Sequence, residues 1–168
     1  MIRKILVVAL LITVSNFSFG QDKLITTFIL VRHAEKDLTQ STSDPDLSAE
    51  GKARVTRLMK MLEQTDIQAV YSTNFKRTRQ TIEPIAAARG IGVTTYDARS
   101  NADIDAMLKQ HTGGTLLISG HSNTVPQFVN YLIGVEKYKP MEDGEYGNII
   151  IVSVAEIGKN AKVVWLND

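Results

Sequence analysis

Strand-like and helix-like stretches alternate along this chain. Phe28, Ile29, Leu30 and Val31 form a short uninterrupted apolar run, the pattern of a strand covered on both faces. After Ser48, placed as a helix N-cap, Val55, Leu58, Met59 and Leu62 recur at i, i+3, i+4 and i+7, which predicts an amphipathic helix. Ile67 to Tyr71 reads as a second strand. Asn74 then caps a helix running through Ile82, Ile85 and Ala86 to Gly90, with Pro84 expected to kink it. Val93 to Tyr96 is a third strand, and Asn101, Asp103 and Asp105 open a helix carrying Ile104, Met107 and Leu108 that Gly113 and Gly114 break. Thr115 to Ser119 is a fourth strand, and Asn123 caps a helix with Pro126 in its first turn and Val129, Leu132 and Ile133 on one face. Ile149 to Val154 and Val163 to Leu166 close the chain as strands. This order predicts an α/β domain with a mainly parallel sheet and right-handed crossovers.

In such sheets ligands bind beyond the carboxyl ends of the strands, so chemistry is sought immediately after each one. Arg32 and His33 follow the first strand; Lys76, Arg77 and Arg79 follow the second; His121 follows the fourth. His111, near a helix end, reads as a residue complementing the helix dipole rather than as a catalyst. Two histidines and two arginines at neighbouring strand ends have no acidic cluster of matching size, and buried cations need anions. A phosphate answers that need: arginine presents a planar fork to its oxygens, and a neutral imidazole can attack phosphorus.

The first twenty residues stand apart from the domain. Arg3 and Lys4 form a basic start, Ile5 to Val14 an apolar stretch, and Ser18-Phe19-Gly20 a small-x-small pattern before Gln21, together the three parts of a secretory signal. The apolar run is shorter than the roughly 20 residues that span a bilayer, so residues 1–20 are read as a cleaved signal rather than a membrane anchor, and residues 21–168 as the domain. Removal of Arg3 and Lys4 from 19 basic residues leaves 17 against 18 acidic ones, a formal charge of −1. That balance argues against nucleic-acid binding, which requires a basic surface. There is no cysteine, which excludes disulfides, thiolate metal sites and lipidation of an N-terminal cysteine. The expected location is periplasmic or secreted; the sequence does not give the oligomeric state.

The segments VRHAE, YSTNFKRTRQT and GHSNTVP, in this order, resemble the histidine phosphatase superfamily in its phosphoglycerate mutase-like branch, and DLSAEGKAR is similar to the Leu-Thr-x-x-Gly segment of that family. Ala34 stands where many members have glycine. The resemblance implies a three-layer αβα sandwich, phosphoglycerate mutase-like, in its compact phosphatase form. It also implies that His33 accepts the phosphoryl group and that Arg32, Arg77 and His121 bind and neutralise it. Arg77, rather than Arg79, matches the arginine before the small residue of the family's Arg-Ala-x-x-Thr pattern.

The expected reaction is hydrolysis of a phosphomonoester through a phosphohistidine, with a carboxylic acid protonating the leaving oxygen. Asp97, after the third strand, is the favoured acid, and Glu35, two residues beyond His33, is the alternative. No cofactor and no metal are expected, since residues i and i+2 of an extended segment point apart and His33 with Glu35 cannot make a three-ligand site. The substrate is a phosphorylated small molecule or a phosphoprotein. Two other readings stand beside this one: a phosphohistidine-protein phosphatase, and an inactive module that only binds phosphate. Specificity is assigned to the loops Lys36 to Asp46 and Tyr138 to Tyr146.

Overall fold

A computed structural model describes residues 24–167, so the signal assigned to residues 1–20 lies outside the described residues. Six strands form one sheet in the order β3-β2-β4-β1-β5-β6. The strands β1 (Thr26–Arg32), β2 (Ala69–Ser72), β3 (Val93–Thr95) and β4 (Thr115–Gly120) are mutually parallel, while β5 (Asn148–Glu156) pairs antiparallel with β1 and β6 (Asn160–Asn167) antiparallel with β5. A three-residue connection, 157–159, joins the last two strands and holds Gly158 at φ 74°. A connection this short can only make a hairpin, whereas each parallel step carries a crossover helix.

The helices are α1 (Ala49–Met61), α2 (Lys76–Ala87), α3 (Asn101–Gln110) and α4 (Thr124–Ile133). Strand residues alternate between two cores because successive side chains point to opposite faces. Ile29, Val31, Val70 and Leu117 pack with Leu58 and Leu62 after and within α1 and with Ile82 and Ile85 of α2. Phe28, Leu30, Leu116 and Ile118 pack with Ile104 and Met107 of α3 and Val125, Phe128, Val129 and Leu132 of α4. The result is the three-layer αβα sandwich, with its sheet parallel at the centre.

The helix ends differ in detail from the sequence reading. Ser48 caps α1 as expected, its side chain accepting from the Gly51 N–H at 3.1 Å. The N-cap of α2 is Phe75, one residue after Asn74; its first helical N–H, on Lys76, is satisfied by the Asp44 carboxylate at 3.0 and 3.1 Å. Ser100 caps α3, accepting from Asp103 N–H while its hydroxyl meets the Asp103 carboxylate. Asn123 occupies the cap position of α4 without a side-chain hydrogen bond; the Thr124 hydroxyl instead accepts from His121 N–H at 3.0 Å. Pro84 sits in the last turn of α2, which runs through it to Ala87.

Candidate active site

Parallel strands place β1, β2 and β4 with their carboxyl ends on one edge, and Arg32, His33, Thr73, Arg77 and His121 line one open cleft of about 790 Å³ there. The His33 and His121 rings meet edge to face with centroids 5.5 Å apart. Asp97, Asp143, Lys36 and Arg99 line the same cleft. The four residues joined by the phosphate argument are therefore neighbours.

His33 is buried, with 5% of its surface exposed. Its Nδ1 lies 2.8 Å from the Ala34 carbonyl oxygen. A carbonyl only accepts, so Nδ1 carries the hydrogen and Nε2 is left with its lone pair in the neutral ring. Burial lowers the His33 pKa to about 3; the Ala34 hydrogen bond works against this, and the charges of His121, Arg77 and Arg32 reinforce it. At neutral pH this imidazole is an uncharged base with one free nitrogen, the form a nucleophile requires.

Arg32 is fixed by a part of the chain more than a hundred residues away. Its Nη1 donates to the carbonyls of Glu142 at 2.7 Å and Glu145 at 2.9 Å, and its Nη2 to that of Asp143 at 3.0 Å. The Tyr146 ring covers the guanidinium, 4.2 Å from its central carbon. Three of the five N–H donors are thus used by carbonyls, while Nε is buried and has no hydrogen-bond partner. Arg77 donates to Asp44 Oδ1 at 3.2 Å and stacks on the Phe75 ring at 4.5 Å. His121 Nε2 lies 3.0 Å from Thr73 Oγ1, and Phe75 meets its ring edge-on at 5.0 Å. Burial lowers the His121 pKa to about 4, helped by Arg77 and Arg32 and opposed by Asp44.

Other residues singled out in the sequence fall elsewhere. Arg79 pairs with Glu83 on the face of α2 at 2.9 Å. His111 is the C-cap of α3 and bonds Tyr71 through Nε2 at 2.9 Å. Glu35, the alternative acid, has its carboxylate held by Arg54 at 2.6 to 3.0 Å and is not among the residues that line the cleft. Asp97 does line it, with Oδ1 accepting from Arg99 N–H at 2.9 Å. Sequence reasoning missed Asp143, a second carboxylate at the cleft. It also missed Tyr146, which packs on both Arg32 and His33. The acidic run Glu142-Asp143-Gly-Glu145 in the loop before β5 was the signal available for it. Among the described residues no group of three or more His, Asp or Glu side chains is arranged to hold a metal ion.

Residues 28–99 match the histidine phosphatase superfamily (branch 1). Those 72 of the 168 residues are where the chain is similar to that superfamily. The matched segment contains Arg32, His33 and Arg77, so the superfamily's likeness falls on three of the four site residues. The chain is 38% identical over 74 residues to phosphoserine phosphatase 1 of Hydrogenobacter thermophilus; that match covers 41% of this chain and about a third (35%) of the relative. Two solved structures extend the likeness over most of the chain. The protein histidine phosphatase SixA complexed with tungstate superposes with a TM-score of 0.67 at 18% identity, over 84% of this chain and 96% of that one. The mycobacterial glucosyl-3-phosphoglycerate phosphatase does so with a TM-score of 0.68 at 11% identity, over 86% and 97%. At these identities the structural likenesses speak for the fold.

Proposed function

We propose that this protein is a member of the histidine phosphatase superfamily, an exported phosphomonoesterase that works through a phosphohistidine on His33. The observation that carries this reading is the state of His33: buried, neutral, with Nδ1–H bound to the Ala34 carbonyl and Nε2 free beside two arginines. Export rests on the three-part pattern of residues 1–20.

In the first step the His33 Nε2 lone pair forms a bond to phosphorus as the ester P–O bond breaks. Asp97 gives its proton to the departing alkoxide. The Nδ1–H···O=C bond to Ala34 holds the ring in line and stabilises the positive charge that develops on it. Arg32, Arg77 and His121 face the equatorial oxygens, where donors placed in advance stabilise the transition state without reorganising. The unpartnered Nε–H of Arg32 is one of the two donors its carbonyl clamp leaves for a phosphoryl oxygen. In the second step water adds to phosphorus, the N–P bond breaks, Asp97 takes the water's proton, and inorganic phosphate leaves.

Brief reaction with a radiolabelled phosphate ester, followed by a quench, tests this reading. An acid-labile, base-stable label is expected on the native chain and absent from His33→Ala. A label that survives the substitution moves the nucleophile elsewhere, and a native chain that neither labels nor turns over p-nitrophenyl phosphate is a phosphate-binding module. The second reading, a phosphohistidine-protein phosphatase, is favoured by the compactness of the domain, which spans 96% of the SixA chain. A phosphohistidine peptide hydrolysed at a kcat/KM well above that of any small ester decides for it.

A further inference from the structure

Behind His121 lies a chain of two hydroxyls, and the hydrogens in it can be placed. Thr78 Oγ1 is 2.9 Å from the carbonyl oxygens of both Thr73 and Phe75 and 3.0 Å from Thr73 Oγ1. Carbonyls have nothing to donate. If Thr78 gave its one hydrogen to the Thr73 hydroxyl, both carbonyl contacts would set lone pair against lone pair, in a residue with none of its surface exposed to water. Thr78 therefore donates to a carbonyl and accepts from Thr73. That uses the only hydrogen of the Thr73 hydroxyl, so toward His121 Thr73 can only accept. The hydrogen between them belongs to Nε2 of His121, across 3.0 Å. Nδ1 of the same ring has no hydrogen-bond partner among the described residues.

We propose that Thr73 and Thr78 are positioning residues, whose hydroxyl chain holds His121 with its hydrogen on Nε2 and leaves Nδ1 as the nitrogen that serves the phosphoryl group. The inference rests on the phosphatase reading for its catalytic part alone; the tautomer follows from the hydrogen-bond geometry. A proton taken up when a phosphate dianion enters goes to Nδ1, the only basic atom left on the ring, and the imidazolium then donates from both nitrogens, to Thr73 and to a phosphoryl oxygen. Without Thr78 to receive its hydrogen, the Thr73 hydroxyl is free to turn and donate to Nε2, which places the neutral ring's hydrogen on Nδ1 instead. The control over His121 is thus exerted by a residue that touches neither the ring nor the cleft. Thr78 stands at the small-residue position of the Arg-Ala-x-x-Thr pattern, so the relay belongs to a departure of this chain from that pattern.

The test is the histidine nitrogen spectrum of the ¹⁵N-labelled full domain, in which pyrrole-like and pyridine-like nitrogens resonate apart, with His121→Gln assigning the signals. The native protein is expected to show a pyrrole-like Nε2 and pyridine-like Nδ1 for His121 at neutral pH, and Thr78→Val to interchange them. Thr78→Ser, which keeps the hydroxyl, is expected to retain the native pattern. A pyridine-like Nε2 in the native protein, or no interchange in Thr78→Val, overturns the proposal; if Thr78→Val does not fold, Thr78→Ala takes its place. This readout needs no turnover, so its failure is distinct from failure of the phosphatase reading. In the kinetic arm Thr78→Val is expected to lower kcat about fivefold, the worth of one hydrogen bond made in the transition state, with KM within about twofold and recovery in Thr78→Ser. A normal kcat in a variant whose tautomer has changed overturns the catalytic role.

Discussion

Arg54 grips Glu35 through both carboxylate oxygens, Nε lying 2.9 and 3.0 Å from Oε1 and Oε2 and Nη2 lying 2.6 Å from Oε1. Burial opposes charge on Glu35, but the hydrogen bonds from Arg54 and its charge overcome that, and the carboxyl is held below the usual carboxylate range. A group kept ionised in this way makes a poor proton donor and a good brace between the segment that carries His33 and helix α1. Glu35→Gln is expected to destabilise the domain by about 2 kcal/mol, the scale of a charge-assisted bond, as read from urea unfolding. Turnover of alkyl and aryl phosphates should fall by the same factor; a loss confined to the alkyl ester would restore Glu35 as the acid.

The proposed mechanism seeks its acid among the two carboxylates that line the cleft, Asp97 and Asp143. Asp97→Asn is expected to slow an alkyl phosphate by a factor on the order of 10² more than p-nitrophenyl phosphate, whose leaving group needs no proton. The side chain of Asp143, on the loop that clamps Arg32, is the control. If Asp143→Asn produces the selective loss and Asp97→Asn does not, the role passes to Asp143.

Both cleft histidines have pKa values below that of a free imidazole, at about 3 for His33 and about 4 for His121. Between these values and about 6.5 the unfolded chain binds protons that the folded chain refuses, so stability rises with pH across that window and is lost as pH falls through it. Each group contributes a slope of up to about 1.4 kcal/mol per pH unit there. Unfolding free energies measured from pH 7 down to pH 4 should therefore drop more steeply in the native protein than in His33→Gln/His121→Gln. Parallel curves for the two proteins would mean that the imidazoles titrate normally in the fold.

Gly51, in the first turn of α1, lies against the backbone of Glu35, and a Cβ placed there would overlap the Glu35 carbonyl oxygen and crowd its carbon and nitrogen. The glycine of the DLSAEG segment is thus a packing requirement: it lets the helix reach the strand end that carries His33. Gly51→Ala is expected to cost about 1–3 kcal/mol through overpacking, despite alanine's better helix propensity, with the loss read from thermal unfolding. A stability equal to native would show that the helix shifts freely against this segment.

The sequence by itself determined the alternation of strands and helices, and with it the meeting of Arg32, His33, Arg77 and His121. Parallel strands joined by crossover helices bring their carboxyl ends to one edge whatever the loops do, so residues placed just after the strands are gathered by topology alone. The antiparallel direction of β5 and β6 needed their partners, since an apolar run has the same composition in either direction. Tertiary structure also decided everything that depends on which loop lies over which strand end. Asp44 rather than Asn74 satisfies the start of α2 from 32 residues away, and Arg32 is clamped by carbonyls 110 to 113 residues distant. Backbone carbonyls carry no residue identity, so no motif announces that clamp. The same holds for Glu35, whose carboxylate is gripped by Arg54 on a neighbouring helix, and for the hydroxyls behind His121, whose hydrogens are placed by the carbonyls around them. Local pattern selects the elements and the ends where chemistry gathers; partner geometry sets the charge and tautomer each side chain brings to it.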